Sequence, residues 1–411
     1  MVVVEKGAII TDERRKQMKI SKRVFVVLVA ALMVVLGIGM SELASGKIRQ
    51  EDSHTTRNVK LVTQSVWDDY YEDSDSDSGD ADIIYGAPQD EQIEREIAPR
   101  TLMPTVVPYD GKVRAISCWG DSMMYGCNTT PGFLNLNENM YNISYATTPG
   151  ILGSLTGLTT YNMGVNGETS KEIATRQGGL EMVTDRDIFI DGTGIAEVKL
   201  RSTYDGDIIW FDDYSGYNFA SGNTNIVSIN GSTYYMTNGY DGESQIIYGT
   251  NVYIPSGSVV KTLAAVERKD DILVLEMGSN GGWDNYYDEL IEQYDAMIES
   301  TGCKYYIIVG DTDDPDLSAD ANKLEVGQGE TPWEKALREA YGEHFLNLRM
   351  YMIQNGLSDC GLEETEDDRN GYEEGKISQQ LRSDWTHFNS FGYYTKALAI
   401  YEKGKSLGYW N

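Results

Sequence analysis

A serine that attacks a carbonyl carbon needs four things: a turn that presents its hydroxyl, an imidazole within reach, a carboxylate to orient that imidazole, and donors for the oxyanion. This chain has candidates for the first three in two short segments. Ser122 lies in Gly120-Asp121-Ser122, directly after the run Ile116-Ser117-Cys118, so a strand would carry its hydroxyl into a turn before a helix. Three such common residues recur by chance in many chains, and the tripeptide alone is a weak signal. The base is narrowed by scarcity, because the chain has only three histidines, His54, His344 and His387. His54 falls in a polar, acidic stretch and His344 precedes an apolar run, whereas His387 closes Asp384-Trp385-Thr386-His387. A carboxylate three residues before an imidazole lets one short turn present both, with Asp384 accepting from Nδ1 and Nε2 left to face Ser122. An Asp-x-x-His also serves as an ordinary cap or surface turn. Here Asn389-Ser390-Phe391-Gly392 marks a loop running into a helix.

Such groups must be held by a rigid scaffold, and the residue patterns describe one. Apolar runs at 113–118, 160–163, 272–277 and 305–309 read as strands, the third nearly continuous, as buried parallel strands are. Between them, Thr169-Ser170-Lys171-Glu172 is a T-x-x-E capping box that opens a helix through about Arg176. Amphipathic patterns predict further helices at 288–300 and 334–341, and a last one starting near Gly392. Strands alternating with helices predict an α/β domain with a parallel sheet, right-handed crossovers and a ligand site at the carboxyl edge of the strands. Residues 187–262 break the alternation with short β-rich runs separated by Gly, Asn and Asp. Within them, Asn230-Gly231 between Ile226-Val227-Ser228-Ile229 and Ser232-Thr233-Tyr234-Tyr235 has the signature of a type I′ hairpin. A small inserted all-β domain is expected there. Its aromatics Trp210, Phe211, Tyr214, Tyr217 and Tyr240 are assigned mainly to its own core, with some free to stack on a sugar.

Composition limits the partners. Against 34 Lys+Arg stand 64 Asp+Glu, for a formal net charge of -30, and a surface that acidic repels phosphate backbones. Nucleic acid is therefore not an expected partner. Residues 24–40 carry no charged side chain and follow Arg14, Arg15, Lys16, Lys19, Lys22 and Arg23. That pattern predicts a transmembrane signal-anchor at 24–43 with residues 1–23 as a cytoplasmic tail and the rest of the chain exported; a cleaved signal peptide is the rival reading. Residues 44–105 are acidic and poor in aliphatics, as befits a disordered spacer. Asp73, Asp75 and Asp77 have the spacing of a calcium loop, but Ser78 and Ile84 stand where the loop needs Gly and Glu. The four cysteines, Cys118, Cys127, Cys303 and Cys360, form no C-x-x-C pair and are read as free thiols, a Cys118–Cys127 bridge being the alternative. No metal-ligand cluster or cofactor motif is expected.

Four ordered blocks over about residues 110–410 resemble the SGNH (GDSL-like) hydrolase family. The first, Ile116-Ser117-Cys118-Trp119-Gly120-Asp121-Ser122, resembles the family's nucleophile block. The second, Asn162-Met163-Gly164-Val165-Asn166-Gly167-Glu168-Thr169, looks like N-x-G-x-x-G-x-T, whose later glycine gives an oxyanion N–H and so points to Gly167. The third, Glu276-Met277-Gly278-Ser279-Asn280, is similar to the G-x-N block, whose asparagine side chain is another oxyanion donor and points to Asn280. The fourth is Asp384-x-x-His387. Departures are Met123 for the usual leucine, Gly281 for an aspartate whose supporting hydrogen bond behind the site would be lost, and Trp385 and Phe388, expected to make the rim more aromatic. The resemblance implies a flavodoxin-like three-layer α/β/α sandwich with a five-stranded parallel sheet at 106–411, interrupted by the 187–262 insert. It implies an esterase with triad Ser122, Asp384 and His387 and an oxyanion hole of Ser122, Gly167 and Asn280, without cofactor. For an exported member, an O-acetylated glycan is the first expectation of substrate. An O-acyltransferase with the same triad, or a silent glycan-binding surface protein, are the alternatives.

Overall fold

The computed structural model describes residues 100–410 apart from 103, 137–138, 210–225, 240–242, 285–286 and 313–328. The 24–43 anchor and nearly all of the 44–105 spacer lie outside the described residues. Among the described residues no helix is long and apolar enough to cross a membrane.

Five strands form a wholly parallel sheet: β1 (Ile116–Gly120), β4 (Thr160–Gly164), β13 (Ile272–Leu275), β14 (Tyr306–Val309) and β15 (Phe345–Leu346). The other strands are β2 (Phe133–Leu136), β3 (Asn139–Asn142), β5 (Met182–Thr184), β6 (Ile188–Val198), β7 (Leu200–Ser202), β8 (Ile208–Ile209), β9 (Ile226–Ile229), β10 (Ser232–Asn238), β11 (Gln245–Ile254) and β12 (Val259–Thr262). The helices are α1 (Ser122–Tyr125), α2 (Thr148–Thr156), α3 (Ser170–Gln177), α4 (Leu263–Glu267), α5 (Tyr287–Thr301), α6 (Pro332–Tyr341), α7 (Leu348–Asp359), α8 (Glu366–Glu374) and α9 (Ser390–Ser406).

The parallel sheet is ordered β15-β14-β13-β1-β4. Counted among themselves its strands run 2-1-3-4-5, the flavodoxin-like order, whose switch point lies between β1 and β13. β1, β13 and β14 are buried along their whole length, which is why they read as unbroken apolar runs. Successive residues point to opposite layers. Ile116, Cys118, Ile272, Val274 and Ile307 pack with Leu152 of α2, Met352 of α7 and Ile400 of α9. Trp119, Leu273, Leu275 and Ile308 pack with Ile173 of α3, Leu290 and Tyr294 of α5 and Leu337 of α6. The result is helix, sheet and helix in three layers.

The insert is an eight-stranded antiparallel sheet ordered β6-β11-β10-β9-β12-β5-β7-β8. It begins earlier than the expected 187, at Met182, because β5 pairs with β7 and β12 rather than with the parallel sheet. Asn230 and Gly231 have φ of 51° and 79°, the two left-handed positions that a type I′ turn requires. Its core is aliphatic, with Ile188, Ile190, Val198, Val227, Ile229, Ile247 and Val260 all buried. The five aromatics assigned to that core, Trp210, Phe211, Tyr214, Tyr217 and Tyr240, lie outside the described residues. All four cysteines are free thiols, Cys118 and Cys360 buried and Cys127 and Cys303 half-buried. His344 is buried, its Nδ1 3.0 Å from the Tyr306 carbonyl and its ring stacked on that of Tyr306.

Candidate active site

The turn after β1 is built by close packing. A Cβ at Gly120 would meet the Glu276 carbonyl oxygen at 2.6 Å, so only glycine lets β1 run this near β13. Asp121 then caps α1, its Oδ1 accepting from Met123 N–H at 2.9 Å, and Ser122 becomes the first residue of that one-turn helix. Asn162, the first residue of the second block, braces the same turn, its Nδ2 donating 2.8 Å to the Tyr125 carbonyl.

The loop before α9 brings the imidazole to this turn. Asp384 Oδ1 accepts from the N–H groups of Thr386 at 2.9 Å and His387 at 2.6 Å, which folds Asp384-x-x-His387 back on itself. Arg382 holds the loop from below, donating to the carbonyls of Thr386 at 2.9 Å and Trp385 at 3.3 Å and to that of Thr312. Nδ1 of His387 then lies 2.9 Å from Asp384 Oδ2, and Nε2 lies 3.0 Å from Ser122 Oγ. Ser122 is buried while His387 and Asp384 are half-buried. An imidazole so placed can take the hydroxyl proton, and the carboxylate behind it can stabilise the imidazolium. Burial pushes the Asp384 carboxyl up, but hydrogen bonds from His387, Asn128 and Thr386 outweigh it and hold the group at about 2.

Asn280 sits at the other side of Ser122, past the end of β13. Its Nδ2 donates 3.3 Å to Asp121 Oδ2 and 3.2 Å to the Glu168 carbonyl, so one amide links the chain neighbours of Ser122 and Gly167. Gly167 occupies left-handed backbone, φ 79°, in the turn between β4 and α3. Gly281, which stands where the family pattern has aspartate, has φ 80° and nothing within 4 Å of a built Cβ. Backbone conformation, not space, therefore selects glycine there. Trp385 is exposed at the rim, as expected. Phe388 is not: it is fully buried, packed edge-on against Tyr393 and beneath the Arg382 guanidinium, because the residue after His387 turns inward to start α9.

Several supporting side chains were given no role by the motifs, and Asn128, Arg176 and Lys396 lie outside the four blocks altogether. Asn128, an exposed residue with φ 57°, donates Nδ2 to Asp384 Oδ2 at 2.7 Å from a position 256 residues away in the chain. Lys396 of α9 is fully buried, donates 3.0 Å to the Met123 carbonyl and pairs with Glu276, whose carboxyl burial pushes up to about 7 with Lys396 opposing. Glu168 and Arg176 form a fully buried pair at 2.7 Å, and Arg176 also donates to the Met163 carbonyl at 2.8 Å, tying α3 to the end of β4. Ser279 donates to Asp121 Oδ2 at 2.7 Å. Among the described residues no group of His, Cys, Asp and Glu side chains is arranged to hold a metal ion.

No family model matches the chain, and no curated protein matches it. Among solved structures, similarity is found to a chain ascribed to the lipolytic proteins of the G-D-S-L family from Desulfitobacterium hafniense DCB-2. The identity is 10% and the TM-score 0.33 over 71% of this chain and 99% of that one, a likeness too slight to bear on activity.

Proposed function

We propose that this chain is a serine esterase of the SGNH type that cleaves O-acyl esters through an acyl-enzyme, with carbohydrate O-acetyl groups as its first substrate class. In the same reading residues 24–43 anchor it in a membrane and the hydrolase domain faces outward. The observation that carries the chemistry is the continuous hydrogen-bonded line from Asp384 Oδ2 to His387 Nδ1 at 2.9 Å and from His387 Nε2 to Ser122 Oγ at 3.0 Å.

Ser122 Oγ attacks the ester carbonyl as His387 takes its proton, and Asp384 stabilises the imidazolium. The oxyanion is received by the N–H groups of Ser122 and Gly167 and by Asn280, which exchanges its 3.3 Å bond to Asp121 for the developing charge. Collapse of the tetrahedral intermediate expels the alcohol, which His387 protonates. Water activated by the same imidazole then releases the acid.

The test is hydrolysis of p-nitrophenyl acetate and release of acetate from acetylated xylan by the full chain. Ser122→Ala and His387→Ala are each expected to abolish both, and Asp384→Asn to lower kcat by about 10²–10⁴. Unchanged turnover in purified Ser122→Ala overturns the reading. Transfer of acetyl to an added sugar in preference to water would reassign the same triad to an acyltransferase.

A further inference from the structure

We propose that the outer face of the inserted sheet is a binding platform for a neutral oligosaccharide, built from Phe189, Tyr253, Ile195, Tyr248 and Tyr235. The proposal goes beyond ester cleavage and can fail independently of it.

The platform follows from strand alternation. In β6, Ile188, Ile190 and Val198 point into the insert's core, which leaves Phe189, Asp191, Thr193, Ile195 and Glu197 outside. In β11, Ile247 and Ile254 point in while Tyr248, Thr250 and Tyr253 are exposed. An irregular step between Thr250 and Val252, with Asn251 at φ 50° and its Oδ1 accepting from Gly192 N–H at 2.9 Å, keeps both halves of β11 facing outward in register with β6. Phe189 therefore stands opposite Tyr253, Thr193 opposite Thr250, Ile195 opposite Tyr248, and Tyr235 of β10 on the far side of Tyr248.

These side chains are exposed and adjoin one another on one face: Phe189 73%, Ile195 60%, Tyr253 58%, Tyr235 47% and Tyr248 39%. Neither ring pair is stacked. Phe189 and Tyr253 lie 5.8 Å apart at 58°, Tyr235 and Tyr248 5.4 Å apart at 65°, so each pair engages at most one face of a ring and leaves others open. Between the pairs, the hydroxyls of Thr193 and Thr250 meet at 3.1 Å, and the carboxylates of Asp191 and Glu197 flank the row on the same strand face. Apolar ring faces alternating with hydroxyl and carboxylate acceptors match a sugar chain, whose C–H faces are apolar and whose hydroxyls donate.

Other occupants fit less well. The net charge of -30 and the carboxylates on this face disfavour phosphate-bearing polymers and anionic bilayers. Five half-exposed side chains offer on the order of 500 Å², short of the roughly 800 Å² per partner of a stable dimer. Phe189 to Ile195 spans about 20 Å of strand, the reach of an oligosaccharide and not of one sugar. Among the described residues β6 is the outermost strand of its sheet, so no further strand lies beyond it.

The experiment uses the full chain carrying Ser122→Ala, kept in a detergent without a sugar headgroup and titrated calorimetrically with cellohexaose, xylohexaose and chitohexaose, with polygalacturonate as the anionic counterpart. At least one neutral hexasaccharide should bind. Phe189→Ala with Tyr253→Ala, and Tyr235→Ala with Tyr248→Ala, should each weaken it by about tenfold or more, while Tyr248→Phe keeps it. Ile195→Asp, which leaves both ring pairs whole, should weaken it as well and gives a reading that truncates no ring. With Ser122 restored, the same variants should hydrolyse p-nitrophenyl acetate as the parent does. No binding of any neutral hexasaccharide by the folded parent overturns the platform, as does binding that all these variants leave unchanged. Preference for polygalacturonate overturns it too, as does a dimer in sedimentation that the ring variants dissolve. Failure of ester turnover with binding intact would instead sink the esterase reading alone.

Discussion

At the scale of single residues, Asn280 decides most. At rest both protons of its amide are placed, at 3.3 Å on Asp121 and 3.2 Å on the Glu168 carbonyl, so its service as an oxyanion donor requires an exchange that only a developing charge would drive. Asn280→Ala is accordingly expected to cost about 10²–10³ in kcat with little change in KM. Melting temperature measured on the same preparation should fall by only a few degrees, the loss of two long hydrogen bonds, and near-normal kcat would remove Asn280 from the oxyanion hole. Asp384 gives a pH test. Folding lowers its carboxyl from 3.8 to about 2, so the stability it contributes is complete above 3.8 and is lost as pH falls through about 2. In urea unfolding, the gap between the parent and Asp384→Asn should stay constant down to about pH 5 and narrow progressively below the ordinary carboxylate range. A gap that widens in acid would mean that Asp384 is not the ionised partner of His387.

At the scale of elements, the pieces that carry the site begin with locally written caps. Thr169 and Glu172 cap α3 reciprocally, Glu172 Oε2 accepting from Thr169 N–H at 2.9 Å and Thr169 Oγ1 from Glu172 N–H at 3.4 Å. Thr169→Ala should cost about 1 kcal/mol in chemical denaturation, and Thr169→Ser much less. Because α3 also carries Arg176, which donates to the carbonyl of Met163 within the second block, a small loss of kcat beside that destabilisation is expected. The capping box, the Asn230-Gly231 hairpin and the apolar strands were legible because each is a short-range pattern: a cap, two left-handed residues, a run buried on both faces. β15 and β5, of two and three residues, carry too little periodicity to be seen in advance. Both exist through partners elsewhere in the chain, β14 for one and β7 and β12 for the other.

At the scale of the whole molecule, charge dominates. A net charge of -30 makes the compact state repel itself, while exposed pairs such as Lys112–Asp270 at 2.9 Å return little. Raising salt from about 0.01 M to about 0.15 M shortens the screening length from about 30 Å to about 8 Å, so the melting temperature should rise. A fall would show that the surface pairs outweigh the net repulsion. The amino-acid order by itself singled out the candidate site residues, because a serine after a buried strand and an Asp-x-x-His turn are short-range patterns. It also determined the class of the fold, through the alternation of buried runs with helical periods. Only the tertiary structure decided that Ser122 meets an imidazole 265 residues away, that Asn128 joins His387 on the second oxygen of Asp384, and that Phe388 goes into the core while Trp385 stays exposed. Those outcomes depend on which buried faces the sheet and helices bring together, and packing between distant segments leaves no periodic trace in either of them.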